Sequence, residues 1–536
     1  MTQLITSLVK ESPSFQANVE AMEKQVAEFR MYEARVRANS ERKREKFIKR
    51  GQLMPVDRVS VLLDKGSPFL EISTLAGLHM HDDDGKKNAA GGGSIAGIGY
   101  VSGKRCMVLA TDSAIKGGSV SPMGLKKSLR LQEIALKQKL PIINLAESAG
   151  ANLKYQSELF VEGGRNFANQ ARLSAAGIPQ ITVVHGSSTA GGAYLPGLSD
   201  YTVVIRGRTK IFLAGPPLLK AATGEIATDE DLGGASMHFE KVGTAEYMGE
   251  DDAHGIEIAR DIVGSIPWSA PKELPEKCDP IYSVEELMGV VPDDSKKPYD
   301  VREIIMRITD HSKFLEFKAS FGASTVCGHG AINGQRLGIL GNNGPITADG
   351  AVKAAQFIQL CSQSNTPLLF LMNTTGFMVG SEAESSGMVK HGSKMIQAVA
   401  NTQVPKITIV IGGAWGAGYY GMCGRGFDPD FIFSWPTARI GVMGPEQAAT
   451  VMKIITEQKF SAMGQDVPEE AIEAMKQSLL KQMEPETTAL FGTARLWDDG
   501  IIDPRDTRKV VSLALSVCED GRSRQVQTNS FGIARG

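Results

Sequence analysis

Two runs of small residues have the composition needed to hold an oxyanion through backbone amides. The first is ITVVHGSSTAGGAY (residues 181–194), in which Gly191 and Gly192 follow a β-branched run and precede a helix start. Glycine lets a ligand approach the backbone closely, and the N–H groups at a helix start carry partial positive charge. A tight strand-to-helix connection with no ligand is the alternative, and this run alone does not decide between them.

The same pattern occurs a second time in the chain. At one constant offset, PIINLAES at 141 matches PLLFLMNT at 367, and PQITVVHG at 179 matches PKITIVIG at 405. The same offset also places Gly191 and Gly192 on Ala417 and Gly418. Upstream, a GxGxxxGxR pattern repeats at 97–105 and 328–336, and each copy predicts strand, turn and strand. We infer an internal duplication of one α/β domain that is built from βαβ units.

Each half contains one further turn of small residues. These turns are Lys116-Gly117-Gly118-Ser119 and Asn342-Asn343-Gly344-Pro345. Two convergent turns can direct N–H donors at one carbonyl oxygen, which is the geometry that stabilises an enolate or a tetrahedral oxyanion. Two halves therefore predict two such sites and two carbonyl-bearing substrates.

Other chemistries find less support in the sequence. Gly186-Ser187-Ser188-Thr189-Ala190 approaches the GxSxG serine motif but ends in alanine. Glu147 is a candidate general base, as in a hydratase, although Asn373 takes its place in the second half. None of the eight histidines has a zinc-binding spacing, and the loop HMHDDDGKKNAAGGG (79–93) is more typical of a solvated turn than of a metal site. We therefore expect no metal.

Composition limits the class of protein. At 536 residues the chain is too long for one core, so two or three domains are expected. Lys and Arg (58) nearly balance Asp and Glu (60), which favours neither nucleic acid nor a membrane surface as a partner. The six cysteines are scattered without CxxC, as in a reducing compartment. The N-terminal residues predict a cytoplasmic protein, or one in the mitochondrial matrix if the chain is a processed eukaryotic one.

The pattern along the chain predicts four segments. They are a helical segment (1–52), an α/β domain (53–267), a proline-rich linker (268–299) and a second α/β domain (300–536). The N-terminal helix is a candidate docking element, with packing inside the assembly as the alternative. A charge-free run from Ile407 to Gly424 contains several glycines, so we expect a buried strand and turn there and no membrane span.

Ordered blocks covering nearly the whole chain resemble a known family. They are LAESAGANL, GSSTAGGAYLPGLSD, FLAGPPLLKAATGE, EDLGGASMH, LLFLMNTTGFMVG, GAWGAGYYGMCGR, GVMGPEQAA and ARLWDDGIIDP. The chain resembles the carboxyltransferase (β) subunit of biotin-dependent acyl-CoA carboxylases, most closely the branch acting on 3-methylcrotonyl-CoA and geranyl-CoA. The resemblance implies two tandem domains of the ClpP/crotonase fold, the first for acyl-CoA and the second for biotin, usually in a hexamer.

The resemblance also implies roles for the turns. Gly191 and Gly192 would hold the thioester oxygen, and Ala417 and Gly418 the ureido oxygen of biotin. The residues implied along CoA are Lys116, Gly117, Gly118, Ser119, Gly150 and Ala151, and those implied near biotin are Asn343, Gly344, Gly376 and Phe377. In the implied reaction, carboxybiotin delivers CO2 to the γ-carbon of a β-methyl enoyl thioester and biotin itself is the base.

Biotin must then come from a partner. The family's biotinylation motif, Ala or Val followed by Met-Lys-Met, is absent, and VMKI at 451–454 has the setting of a helix. No ATP-binding glycine-rich loop is apparent. We therefore expect a partner subunit that carries biotin carboxylase and biotin carrier domains.

One stretch bears on the acyl group. Methylcrotonyl-type subunits of this family read FGRIFYNQA after the GANL block, whereas this chain reads GGRNFANQA, with Gly163 and Ala168 in place of two aromatic residues. Burying the five extra carbons of a geranyl tail contributes on the order of 3 to 4 kcal/mol at about 0.8 kcal/mol per carbon. We expect geranyl-CoA as the substrate, and 3-methylcrotonyl-CoA is the alternative if the pocket is filled from elsewhere. A biotin-dependent acyl-CoA decarboxylase, a crotonase-type hydratase and a nonenzymatic scaffold are the other classes considered.

Overall fold

The computed structural model describes residues 2–85, 88–268, 278–292, 294, 297–463 and 469–534. Contacts within the chain divide it into two compact units. The first unit comprises Met31–Glu273, Ala494–Leu496 and Val517–Gly536. The second unit comprises Met1–Arg30, Leu274–Thr493 and Trp497–Ser516.

The first unit is built on an eight-stranded mixed sheet. The strands follow the order Leu70–Glu71, Ser94–Val101, Lys104–Thr111, Ile142–Ser148, Gln180–Thr189, Tyr201–Ile205 and Tyr247–Gly249, with Lys210–Phe212 also paired to Gln180–Thr189. The first three strands are antiparallel to one another and the remaining pairs are parallel. Its α-helices are Arg44–Lys49, Pro55–Leu62, Pro122–Lys137, Gln156–Ala175, Tyr194–Leu198, Pro216–Thr223, Asp229–Gly233 and Asp252–Ser265.

The second unit repeats this plan on its own eight-stranded sheet. Its strands follow the order Thr2–Gln3, Lys313–Glu316, Thr325–Ile332, Gln335–Asn342, Leu368–Thr374, Lys406–Trp415 and Phe431–Ser434, with Arg439–Gly441 also paired to Lys406–Trp415. Its helices are Leu287–Val290, Arg302–Ile308, Ala348–Gln363, Ser381–Ser385, Met388–Asn401, Gly416–Gly421, Pro445–Ala462 and Glu469–Glu486. Pro13–Glu41, Ala489–Ala494 and Thr507–Ser523 contribute residues to both units. The central parallel strands are buried nearly throughout, which is usual when helices cover a sheet.

The predicted strand–turn–strand repeat is confirmed as a pair of matching hairpins. In the first unit the two-residue turn is Ser102-Gly103, with φ of 48° and 74°, and in the second it is Asn333-Gly334, with φ of 48° and 73°. Two consecutive residues with positive φ give the turn whose twist suits a tight hairpin. The agreement in register and backbone angles confirms the duplication of the α/β domain.

The last part of the chain belongs to the first unit, which differs from the predicted segment 300–536. Arg105 Nη1 binds Asp520 Oδ2 at 2.6 Å, and Asn529 N donates to Ala175 O at 2.7 Å. Gly177, at φ 75°, lies against the backbone of Gln527. These contacts join residues hundreds of positions apart, and hydrophobic periodicity along the sequence carries no information about them.

The division between the two units, Glu273/Leu274, falls inside the predicted linker 268–299. Residues 269–277, 293, 295 and 296 lie outside the described residues. The described part forms the turn Val284–Glu286 and the helix Leu287–Val290. Leu287, Met288, Val290 and Val291 are buried there. This apolar run packs into the second unit, so its composition resembles that of a core element more than that of a linker.

The N-terminal helix Pro13–Glu41 packs closely within the two units. In the second unit the Phe15 ring lies against Gly289, whose carbonyl accepts a hydrogen bond from Asn18 Nδ2 at 3.0 Å. In the first unit Ser40 Oγ donates to Asp112 Oδ1 at 2.9 Å. These contacts bury part of the helix within the chain, and its role in docking or assembly stays a prediction.

The charge-free run from Ile407 to Gly424 folds as predicted. It supplies most of the strand Lys406–Trp415 and the short helix Gly416–Gly421. Across the described residues, we find no helix that is both long and apolar enough to span a bilayer.

Candidate active site

The opening turn of the first unit begins with an unusual backbone angle. The strand Gln180–Thr189 ends, Ala190 adopts φ 53°, and a 3-10 turn leads into the helix Tyr194–Leu198. A positive φ is uncommon for alanine and carries strain, which is typical of functional turns. Gly191 is exposed and Gly192 is half-buried. Because the first N–H groups of a helix have no acceptor within it, both amides can serve a ligand.

Two further loops reach this turn from the neighbouring strands. Ser148 Oγ donates to Gly118 O at 3.1 Å and accepts from Gly150 N at 3.1 Å. A Cβ on Gly192 would lie 3.4 Å from the same Oγ. The strands involved are parallel neighbours, so their carboxyl ends meet at one edge of the sheet, where α/β folds place ligands. The predicted residues Lys116, Gly117, Gly118, Ser119, Gly150, Ala151, Gly191 and Gly192 all lie in these three loops.

The second unit repeats the arrangement at the matching positions of its own sheet. Thr374 Oγ1 has two acceptors for its proton, Gly344 O at 3.3 Å and Gly376 O at 3.2 Å, and it accepts from Gly376 N at 3.2 Å. Gly416, the counterpart of Ala190, has φ 54°. A Cβ on Gly418 would lie only 2.7 Å from Gly376 Cα, so the two backbones are in direct contact.

The side chains of two predicted biotin-binding residues are engaged inside the second unit. Asn343 Oδ1 accepts from Val301 N at 2.8 Å, and its Nδ2 donates to Asp300. The Phe377 ring packs where side chains on Gly392 or Gly421 would otherwise stand. The backbone N–H of Asn343 also donates, to Ser324 O at 2.7 Å, and the binding roles of both residues stay predictions.

A buried charged group that the sequence analysis missed lies beside the opening turn of the first unit. Arg58, with no exposed surface, binds Glu147 Oε2 at 2.8 Å and approaches Asp252 Oδ2 at 3.4 Å. His185 Nδ1 lies 2.9 Å from Asp252 Oδ1. A Cβ on Gly186 would meet the Glu147 carboxylate, so this group lies against the strand that carries the turn. The arginine engages Glu147, which opposes the role of general base considered for it.

The second unit has neutral residues at the equivalent positions. Asn373 takes the place of Glu147, and its Oδ1 accepts from Gly413 N at 3.0 Å. Buried Ile411 takes the place of His185. The two turns thus share a backbone conformation but differ in the charge of the side chains that lie beneath them.

The helix Gln156–Ala175 supplies a wall that the sequence analysis only partly identified. The Phe167 ring would lie 3.7 Å from a Cβ on Gly191 and meets Tyr194 edge-on at 5.9 Å between ring centres. Gly163 and Ala168 lie on the same helix and are half-buried. Phe167 was missed because the comparison drew attention to the residues that changed, and this phenylalanine is common to both patterns.

Serine hydrolysis loses support, and the acidic loop is held by contacts within the protein. Ser188 is buried and its Oγ donates to Gly192 O at 2.8 Å, so it supports the turn and is not presented as a nucleophile. In the acidic loop, Asp83 accepts from His79 N and Ala89 N and binds Arg35. No group of three or more His, Cys, Asp or Glu in the described part of the chain is arranged to hold a metal ion.

The buried histidine predicts a pH-dependent stability. Burial lowers the pKa of His185 to about 4, and the charge of Arg58 acts in the same direction. Between pH 6.5 and 4 this histidine is therefore protonated in the unfolded chain and neutral in the folded chain. The free energy of unfolding falls as the pH falls, by up to about 1.4 kcal/mol per pH unit. Calorimetric unfolding of wild type and His185→Asn from pH 7.5 to 5 measures this slope.

The His185→Asn variant should unfold at a lower temperature throughout but with a flatter pH dependence. His254→Asn, which removes an exposed histidine from the same unit, is the control and should keep the wild-type slope. Equal slopes in all three proteins would contradict the role of His185.

The family of this chain follows from comparisons with known proteins. The family model described as the carboxyl transferase domain matches residues 46–532. The chain is also similar to the crystal structure of the β subunit of geranyl-CoA carboxylase from P. aeruginosa, with 56% sequence identity and a TM-score of 0.93. The match covers 99% of this chain and 100% of the P. aeruginosa subunit. This agreement confirms the predicted fold, a tandem duplication of a crotonase-like domain.

Two curated relatives match over similar lengths. The probable mitochondrial methylcrotonoyl-CoA carboxylase β chain of Drosophila melanogaster is 43% identical over 98% of this chain and 94% of its own length. The biotin-dependent 3-methylcrotonyl-coenzyme A carboxylase β1 subunit of Mycobacterium tuberculosis is 46% identical over 92% and 93%. The chain belongs to the carboxyl transferase family, among the β chains of acyl-CoA carboxylases.

Proposed function

We propose that this chain transfers the carboxyl group of carboxybiotin to the γ-carbon of a β-methyl enoyl-CoA, and that its substrate is geranyl-CoA. The observation that carries the proposal is the pair of amide turns, one in each unit, built on the same hydroxyl-bridged loops. Gly191 and Gly192 hold the thioester oxygen. Ala417 and Gly418 hold the ureido oxygen of biotin.

The turn of the second unit suits a neutral, flat acceptor. Ala417 is exposed, and the contact of Gly418 with Gly376 leaves no room for a side chain between the two loops. A ureido oxygen needs N–H donors and no charged partner, which agrees with the neutral residues Asn373 and Ile411 nearby. When bound, carboxybiotin supplies the carboxyl group and the base.

The turn of the first unit acts on the thioester. Donors fixed before the reaction stabilise the charge that develops on the thioester oxygen as the γ-proton leaves. Lys116, Gly117, Gly118 and Ser119, together with Gly150 and Ala151, line the path of CoA. With Glu147 held by Arg58, the protein contributes orientation and dipoles and no side-chain base.

The helix beside this turn supports the longer substrate. Gly163, Gly164 and Phe167 are spaced to share one helix face. A Cβ on either glycine would meet no atom within 4 Å, while Phe167 stands next to Gly191. One turn earlier, Phe160 is 85% exposed. The acyl tail therefore has open space lined by apolar groups, starting from the thioester.

Similarity to other carboxylases supports both candidate substrates. The crystal structure at 56% identity is that of a geranyl-CoA carboxylase subunit. The relatives from Drosophila melanogaster and Mycobacterium tuberculosis are named for the shorter methylcrotonyl substrate. We favour geranyl-CoA because Gly163 and Ala168 leave space, and 3-methylcrotonyl-CoA is the second candidate.

The proposed assembly includes a partner and further copies of the chain. A subunit with biotin carboxylase and biotin carrier domains delivers the biotin. Apolar side chains beside both turns are strongly exposed, among them Phe160, Val379 (82%) and Val442 (81%), as expected of surfaces that another subunit covers. We propose a homohexamer in the cytoplasm, in which the two turns of one active site come from different copies.

The test is an assay of the holoenzyme purified through its biotinylated partner. We expect a higher kcat/KM for geranyl-CoA than for 3-methylcrotonyl-CoA, with strict dependence on ATP and biotin. A preference for the short substrate would replace geranyl-CoA with the second candidate. Hydration without biotin, or ATP-independent decarboxylation, would indicate the other reaction classes.

The glycine at position 163 predicts a change in chain-length preference. Gly163→Phe places a ring in the proposed tail path, so kcat/KM for geranyl-CoA should fall by about tenfold or more while that for 3-methylcrotonyl-CoA changes less, because only the long tail loses buried area. Gly163→Ala is the control and should keep most of the geranyl activity. An unchanged kcat/KM for geranyl-CoA in Gly163→Phe would show that position 163 does not line the acyl pocket.

The contact between Gly418 and Gly376 predicts a loss of turnover. A methyl at position 418 forces the two loops apart, and loss of one oxyanion donor commonly costs about 100-fold to 1,000-fold in kcat. We expect Gly418→Ala to lose activity on this scale in the holoenzyme assay. Gly426→Ala, where a Cβ meets no atom within 4 Å, should behave as wild type. Normal turnover in Gly418→Ala would argue against the biotin-side turn.

A further inference from the structure

The acidic loop of the first unit contains one carboxylate with an unusual set of partners. Asp82 is 7% exposed. It forms ion pairs with Lys116 and, at 3.2 Å, with Lys154. Asn152 Nδ2 donates to it at 3.2 Å. One buried carboxylate thus gathers groups from two different loops.

These two loops are the ones that line the proposed CoA path. Lys116 lies in the loop after the strand Lys104–Thr111, whereas Asn152, Lys154 and Tyr155 follow the strand Ile142–Ser148. The hydroxyl of Ser148 and the bridge between Val120 and Ala151 join the same loops on their other side. Asp82 therefore closes a second connection between them.

The backbone at Lys116 needs such support. Lys116, Gly117 and Gly118 have φ of 49°, 66° and 75°, three left-handed residues in succession. Glycine adopts this conformation freely, but lysine does so only under strain, so surrounding contacts must hold it. The ion pair with Asp82 fixes the side chain of the one residue in the run that resists the conformation.

The carboxylate of this group is buried, whereas the two ammonium groups around it are partly exposed. The carboxylate of Asp82 is 9% exposed, whereas the side chains of Lys116 and Lys154 are 36% and 65% exposed. Burial opposes the ionisation of Asp82, but the hydrogen bonds from Lys116, Lys154 and Tyr155 outweigh it and lower the pKa of its carboxyl. Two ammonium groups around one carboxylate leave a net positive charge, which faces solvent.

We propose that Asp82 is a positioning residue for acyl-CoA, which holds Lys116 and Lys154 as a fixed pair of ammonium groups for the phosphates of the CoA moiety. The inference rests on the proposed function, because that function places CoA along these loops. Asp82 itself touches neither the thioester nor the reacting atoms. Its effect should therefore appear in binding of the nucleotide part and not in the chemical step.

The test compares Asp82→Asn with wild type on two substrates in the holoenzyme. For acyl-CoA we expect KM to rise by about tenfold with kcat within about twofold, since loss of the carboxylate frees both lysines. For the same acyl group on pantetheine, which lacks the nucleotide and its phosphates, kcat/KM should not change. An equal loss on both substrates, or no loss on either, would overturn the inference.

Two further variants test whether a loss in Asp82→Asn reflects misfolding, and a binding measurement makes the test independent of the assigned reaction. Asp84→Asn removes the same charge from an exposed position of the same loop and should behave as wild type. Lys154→Met, at a largely exposed position, should raise the KM for acyl-CoA alone, and its effect should not add to that of Asp82→Asn. Calorimetric binding of free CoA to the β chain separates the two proposals. Weaker binding in Asp82→Asn supports the positioning role even if carboxylation fails, and equal binding overturns it even if carboxylation succeeds.

Discussion

A single hydroxyl in each unit holds the site loops together. Ser148 in the first unit and Thr374 in the second each end a central parallel strand, lie within hydrogen-bond distance of a glycine carbonyl in the preceding loop and accept from one glycine amide. The bond to the carbonyl fixes the loop of the preceding strand, and the bond to the amide fixes the hydroxyl's own loop. The amide turns pack against this bridge, so their donors are oriented before any ligand arrives. In the proposed reaction, in which no side chain acts as the base, such orientation is what the protein contributes.

The two copies differ in the charge of the side chains that lie beneath their turns. In the first unit the supporting layer contains Arg58, Glu147, Asp252 and His185, all paired among themselves. In the second unit Asn373 and Ile411 replace two of these, and the turn gains its close approach through Gly418. Duplication preserved the backbone plan, because the hydroxyl bridge and the left-handed residue at the start of the turn survive in both. The side chains beneath diverged without disturbing it.

Much of the fold and part of the site could be predicted from the sequence because both depend on local patterns. The constant offset between the two halves located both turns, and the hairpin repeat fixed the register of four strands. Glycine-rich loops after β-branched runs located the three loops that the structure brings together in each unit, and the donor role of their amides stays a prediction. These features involve a few adjacent residues, whose types restrict the backbone directly.

Several of the missed features depend on partners far apart in the chain. Arg58, on an early helix, meets Asp252 near the end of the α/β pattern of the first unit, and Asp520 returns to Arg105 from the last helix of the chain. Asp82 was read as part of a solvated acidic run because its lysine partners come from two later loops. The positive φ of Ala190 could not be predicted from its residue type. The only indication in the sequence is that a glycine, Gly416, stands at the equivalent position of the second half. Periodicity and composition do not encode such pairings, so they emerge only from the folded chain.

The central claim is that backbone amides of the first unit polarise the thioester carbonyl before any chemistry begins. The most direct measurement is the infrared carbonyl stretch of geranyl-CoA labelled with carbon-13 at the thioester carbon, bound to the protein without ATP. Two aligned N–H donors weaken the C=O bond, so the account predicts a stretch at lower frequency in the complex than in water. Gly192→Pro, which removes one donor, should reverse part of that shift. The same carbonyl stretching frequency in the bound and the free substrate would contradict the account.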